Sequence, residues 1–180
     1  MTMLKEEVLR KAAGIRLAVF DVDGVLTGGE IFIGPYGEEF KRFHAQDGLG
    51  IALLQRSGIE VGIISSRQSE AVAHRMESLG VRHVIQGRHD KLQALRELLD
   101  STGIAPEETA FVGDDLIDLP ALRHAGLAIA VANAVPVVRE NAHWTTAARG
   151  GEGAVREICE LLLRAKGLFE DHINHYLHGE

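Results

Sequence analysis

Four places in this sequence set chemically capable side chains directly after short apolar runs. Residues 15–20 lead into Asp21-Val22-Asp23-Gly24-Val25-Leu26-Thr27, and residues 59–64 lead into Ser65-Ser66-Arg67. Residues 81–85 lead through residues 86–90 to Lys91, and residues 109–112 into Gly113-Asp114-Asp115-Leu116-Ile117-Asp118. An aspartate after a strand is most often a cap or turn former, so each stretch alone says little. Together they supply carboxylates, hydroxyls and a lysine. Asp21, Asp23 and Asp114 brought close would repel, and a proton or a cation would have to relieve them. Oxygen donors with few nitrogens suit Mg2+, which also accepts phosphate oxygens. A phosphate dianion beside such an ion would still need Lys91 and a hydroxyl such as Ser65. One carboxylate as nucleophile and a second for proton transfer complete a phosphoryl-transfer site.

These stretches meet only if the apolar runs are neighbouring parallel strands, because ligands of open α/β sheets bind beyond the carboxyl ends of the strands. The pattern predicts that arrangement. Helices are expected over 48–56, 69–79, 91–99, 119–124 and about 152–166, with further strands at 127–131 and 141–146. Asp47 reads as the N-cap of the helix opening at Gly48. Regular strand–helix alternation predicts an α/β fold with a doubly wound, mainly parallel sheet. Residues 28–43 break the rhythm. Two short extended runs, 30–33 and 38–43, surround Gly34-Pro35-Tyr36-Gly37 and predict a β-hairpin insert. The reading is one domain over 1–180 with that small insert, no cap domain, and a polar, mobile tail over 167–180.

Composition narrows the function classes. The chain has 180 residues, 46% of them hydrophobic, and a net charge of −7. That acid excess argues against a nucleic-acid or anionic-membrane partner, though a few local cations can serve one small anionic site. The single cysteine, Cys159, excludes an internal disulfide and a multi-cysteine zinc site and reads as a buried thiol. No stretch approaches the roughly 20 apolar residues that span a bilayer. The first 13 residues form an amphipathic helical pattern without the apolar region of a signal peptide, so a cytoplasmic location is expected. His172, His175 and His178 drift around a helix and make a poor chelating face. Trp144 reads as a core or interface anchor.

The motifs after the four strands, in their order, resemble the haloacid dehalogenase superfamily, and the resemblance spans about 15–163. The stretches 41–48, 63–67, 113–118 and 150–157 resemble the branch of that superfamily acting on 3-deoxy-D-manno-octulosonate 8-phosphate, a precursor route to lipopolysaccharide. The resemblance implies a HAD-like, Rossmannoid fold and a Mg2+-dependent phosphomonoesterase. It implies that Asp21 attacks phosphorus and becomes an aspartyl phosphate, and that Asp23 acts as general acid, then base. Asp21, Asp114 and the backbone carbonyl of Asp23 would hold Mg2+, and Ser65 and Lys91 the phosphoryl group. Asp115 and Asp118 would orient ligands from outside. Sugar-acid contacts fall to His44, Ala45, Gln46, Asp47, Gly48, Arg67 and Arg75.

The chain departs from the family at Gln46, where an arginine is usual, at Ser65-Ser66 for Thr-Gly, and at Glu152 for an arginine. The first change bears on which sugar is chosen. The alternative substrate is another 2-keto acid sugar phosphate, such as a nonulosonate 9-phosphate. A receiver domain shares an aspartate cluster, Mg2+, a hydroxyl and a lysine, but carries its acidic pair after the first strand. A silent scaffold on the same fold is the remaining alternative, and the presence of both Asp21 and Asp23 argues against it. A lone hairpin is marginal in water, and Ile31, Phe32, Ile33, Tyr36 and Phe40 give this one an apolar surface. The resemblance implies a homotetramer in which hairpins meet and neighbours help close each site.

Overall fold

The structure, a computed structural model, describes residues 6–179. Its centre is β1 (Leu17–Phe20), buried at every position. On one side lie β4 (Glu60–Ile64) and then β5 (His83–Ile85). On the other lie β6 (Thr109–Gly113), β7 (Leu127–Ala130) and β8 (Trp144–Thr145), and every pairing is parallel. Continuous apolar strands are required here because helices cover both faces. Those helices are α1 (Glu6–Gly14), α2 (Ala45–Arg56), α3 (Glu70–Ser78), α4 (Lys91–Thr102), α5 (Leu119–His124), α6 (Pro136–Asn141), α7 (Ala154–Ala165) and α8 (Phe169–His178). The expected doubly wound sheet is the one found. Its core is Val, Ile, Leu and Ala with Phe20 and Phe111, and Cys159 is buried in it, which pushes its thiol pKa up.

Because the strands are parallel, their carboxyl ends share one edge. Phe20 pairs with Ile63 on one side and Val112 on the other. The Asp21 N–H continues the ladder to the Val112 carbonyl at 3.0 Å, and the Ser65 N–H reaches Ile85 at 2.9 Å. The residues after the strands therefore start from fixed backbone positions.

Several expectations need correction. The first long helix opens at Ala45 with His44 as its N-cap, so Asp47 is inside the first turn and does not cap it. Its Oδ1 instead accepts from the Arg156 N–H at 2.8 Å, at the start of α7, whose own N-cap Gly153 has no side chain to offer. A buried carboxylate goes to the nearest unsatisfied amides, and the positive end of a helix dipole favours it there. The tail is not a loose polar segment. Residues 169–178 form α8, tied down by Ser57 Oγ to His172 Nε2 at 2.7 Å and by Phe169, which is buried under the Arg164 guanidinium at 3.8 Å. Residues 136–141 form α6, begun by Pro136 at its first turn, and the strand expected over 141–146 shrinks to β8.

The hairpin is present but short. Only β2 (Phe32–Ile33) and β3 (Glu39–Phe40) pair, antiparallel, around a turn closed by Gly34 N–H to Glu38 O at 2.8 Å. Ile31, Phe32, Ile33, Tyr36 and Phe40 are all exposed. No cap domain covers the crevice among the described residues, and none of their helices is long and apolar enough to cross a membrane.

Candidate active site

The strand ends converge as their positions require. Lys91, at the start of α4, is buried with its ammonium 2.7 Å from Asp21 Oδ1 and 2.6 Å from Asp118 Oδ1. Asp118 Oδ2 accepts from the Asp114 N–H at 2.9 Å and the Asp115 N–H at 3.2 Å. Asp118 thus spends both oxygens on holding Lys91 and the loop after β6, and its side chain makes no capping bond to α5. Carboxylate oxygens of Asp21, Asp114 and Asp118 lie within 4.8 Å of one another. Asp114 Oδ1 is buried with no hydrogen-bond partner. Gly24 is needed to bring the two loops this close. It has φ +94°, and a Cβ there would stand 2.0 Å from Asp114 Oδ2.

Crowding shows in the titration. Burial first, then repulsion from Asp118, raises the Asp21 pKa to about 7 despite Lys91. Burial, then Asp21, Asp118 and Asp115, raises Asp114 to about 8. Lys91 is also raised: burial opposes its charge, but Asp21 and Asp118 outweigh it. One lysine cannot balance this many carboxylates. An oxygen-only donor set with an orphaned buried oxygen fits a hard divalent cation such as Mg2+.

A pH-dependent stability follows. A carboxyl group with a raised folded pKa stabilises the fold at low pH, and that contribution is lost as pH rises through the folded value. The cation-free protein should therefore lose stability as pH rises from about 4 toward the Asp21 and Asp114 values near 7 and 8. A divalent cation displaces those protons and should restore the loss. Thermal unfolding with and without Mg2+ should show a larger Mg2+-induced rise in Tm at pH 8.5 than at pH 6. An equal rise at both would mean the carboxylates do not bind the ion.

The other sequence-expected residues fall in two groups. Ser65 is buried at the crevice edge, and its Oγ accepts from the Arg67 N–H at 3.3 Å. Arg67 is exposed and approaches Asp23. His44 is half-buried and Ala45 and Gln46 are exposed at the start of α2. Asp47 and Gly48 are buried, and the Asp47 carboxylate bonds the first turn of α7. Burial raises the Asp47 pKa against the pull of the Arg156 amide. Arg75 reaches from α3 across Gly48, where a Cβ would meet its Nη2 at 2.3 Å, and lies 6.0 Å from the Phe43 ring. Asp115 is exposed and caps the Leu116 N–H at 2.7 Å.

Three residues at the site were not expected. Asn133 donates to the Gly24 carbonyl at 2.9 Å and accepts from the Gly150 N–H at 2.6 Å, pinning the Asp23–Gly24 loop to the glycine turn before α7. Lys41 contacts Asp23 Oδ1, and Glu39 contacts both Lys41 and Arg67. An asparagine in a turn or charges on a hairpin carry no sequence signal for this role.

A sequence profile for haloacid dehalogenase-like hydrolases matches residues 81–158. The 3-deoxy-D-manno-octulosonate 8-phosphate phosphatase KdsC of Yersinia pestis is 46% identical over 165 residues, covering 92% of this chain and 88% of that protein. The crystal structure of a probable YrbI family phosphatase from Pseudomonas syringae superposes with a TM-score of 0.96 at 48% identity, covering 98% of this chain and 100% of the other. A 3-deoxy-D-manno-octulosonate 8-phosphate phosphatase from Moraxella catarrhalis, solved with magnesium ion, phosphate ion and KDO, gives 0.93 at 44% identity, covering 94% and 98%.

Proposed function

Given that the chain belongs to the 3-deoxy-D-manno-octulosonate 8-phosphate phosphatases of the haloacid dehalogenase-like hydrolases, we propose that it releases phosphate from that sugar-acid phosphate through an aspartyl-phosphate on Asp21. The observation that carries the reading is the Lys91 bridge between Asp21 and Asp118 at the strand ends, beside Asp114. Asp21 Oδ2, the oxygen not held by Lys91, attacks phosphorus while the ester oxygen leaves. Asp23 gives that oxygen a proton and then takes one from the water that cleaves the aspartyl phosphate. Ser65 and Lys91 hold the phosphoryl oxygens and balance their charge. Asp21, Asp114 and the Asp23 carbonyl would hold Mg2+, which supplies charge neutralisation of the phosphoryl group when bound. Asp118 and Asp115 keep Lys91 and the loop after β6 in place.

Arg67, Arg75 and residues 44–48 at the start of α2 read the sugar acid, with the buried Asp47 and Gly48 shaping that turn. The product fits the supply of lipopolysaccharide precursors, and the protein works in the cytoplasm. With Gln46 in the first turn of α2 where an arginine is usual, a 2-keto nonulosonate 9-phosphate is the second candidate substrate. Kinetics on both sugar-acid phosphates and on glucose 6-phosphate decide it. The expected order of kcat/KM is eight-carbon acid, nine-carbon acid, hexose; equal values for all three would overturn the substrate assignment.

The exposed apolar hairpin is the surface of assembly. The protein forms a homotetramer through it, with each site finished near a subunit contact. Sedimentation at working concentration should give a species near four times 19.6 kDa. Replacing Ile33, Tyr36 and Phe40 with Ser should shift it to smaller species and lower activity. A fully active monomer would refute this.

A further inference from the structure

Around Asp23 the charges form a closed ring. Lys41 Nζ contacts Asp23 Oδ1 and lies 3.2 Å from Glu39 Oε1; Glu39 Oε2 lies 2.6 Å from Arg67 Nη2; Arg67 Nε lies 3.7 Å from Asp23 Oδ2. Signs alternate around it and the four charges sum to zero. Two members come from the hairpin and two from the strand ends, so the ring is the seam between them. Burial works against the Glu39 charge, but Arg67, Ser69 and Lys41 outweigh it and bring its pKa to about 2, so Glu39 is anionic at any working pH. The Lys41 side chain is 1% exposed and that of Arg67 43%. Arg67 is the most exposed member of the ring.

We propose that Glu39 is a specificity-determining residue whose carboxylate stands in for that of the substrate. In the closed ring, Lys41 holds one oxygen of Asp23, the carboxylate that must serve the leaving group. A substrate carboxylate that takes Arg67 displaces Glu39, which then turns wholly to Lys41. Lys41 follows it and releases Asp23 for proton transfer. An ester without a carboxylate leaves the ring closed and Asp23 tied. Discrimination of this kind appears in kcat, because substrate binding energy assembles the catalytic group. The inference rests on the phosphatase reading above.

The test is steady-state kinetics of the full chain with Mg2+ on 3-deoxy-D-manno-octulosonate 8-phosphate and on 4-nitrophenyl phosphate. Glu39→Gln keeps the shape and removes the charge. With no carboxylate to draw Lys41 off Asp23, it should lower kcat on the sugar acid roughly five- to tenfold, the scale of one partly buried ion pair, with little change in kcat on the aryl ester. Lys41→Met opens the ring at its other contact and should also lower the ratio of the two kcat values, should Glu39→Gln fold poorly. An unchanged ratio in both variants overturns the proposal and leaves the phosphatase reading standing. A selective rise in KM for the sugar acid also overturns it, by making Glu39 a direct contact. If the unaltered protein hydrolyses neither ester, the phosphatase reading falls and the ring's role with it.

Discussion

Asp21→Asn is expected to lower turnover by roughly 10^4-fold or more at saturating substrate and Mg2+. The amide is a poor nucleophile, so the phosphoenzyme does not form. The fold should survive, because Asp21 sits at a fixed backbone position after β1 and Asn keeps its shape. Stability should even rise near neutral pH without Mg2+, since one of the carboxylates crowding Asp114 and Asp118 is gone. Turnover and thermal unfolding therefore move in opposite directions. Asp23→Asn makes a useful contrast, since it should let phosphoenzyme form slowly and fail chiefly at hydrolysis. Acid-quenched phosphoprotein after mixing with substrate separates the two. An Asp21→Asn protein with near-normal turnover would sink the aspartyl-phosphate mechanism.

Lys91→Met should cost both activity and stability. The ammonium balances Asp21 and Asp118, and the latter is fully buried. Removing one partner of a buried ion pair leaves an uncompensated charge, worth about 3–5 kcal/mol. The cost should fall at low pH. Without Lys91 the Asp21 carboxyl titrates higher still, so the folded state holds its proton and the deficit is largest well above that pKa. Urea unfolding should show a greater stability loss at pH 8 than at pH 5.5. Activity should fall by about 10^2–10^3-fold even where the variant is folded, the scale of losing one charge-stabilising donor. A variant as stable and active as the parent would show that Lys91 does not hold the site together.

The sequence alone determined the fold class and which residues follow the strands. Short apolar runs separated by helical patterns predict parallel strands, and parallel strands put their carboxyl ends on one edge. Asp21, Ser65, Lys91 and Asp114 then had to meet, because each follows such a strand directly or through a short loop. The hairpin was legible too, from its turn residues. All of these signals are local periodicity and turn chemistry, which neighbouring residues carry.

Tertiary structure decided the rest. Asp47 looked like the cap of its own helix, yet it serves α7, more than a hundred residues away. Residues 167–180 looked like a loose tail, yet α8 docks through Ser57 and Phe169. Asn133, Glu39 and Lys41 gave no hint of their places beside Gly24, Arg67 and Asp23. A hydrogen bond or ion pair needs only two groups close in space, and closeness between distant residues exists only after the core has packed. Buried polar atoms then take whichever partner lies within reach, because going without costs more than an unexpected pairing.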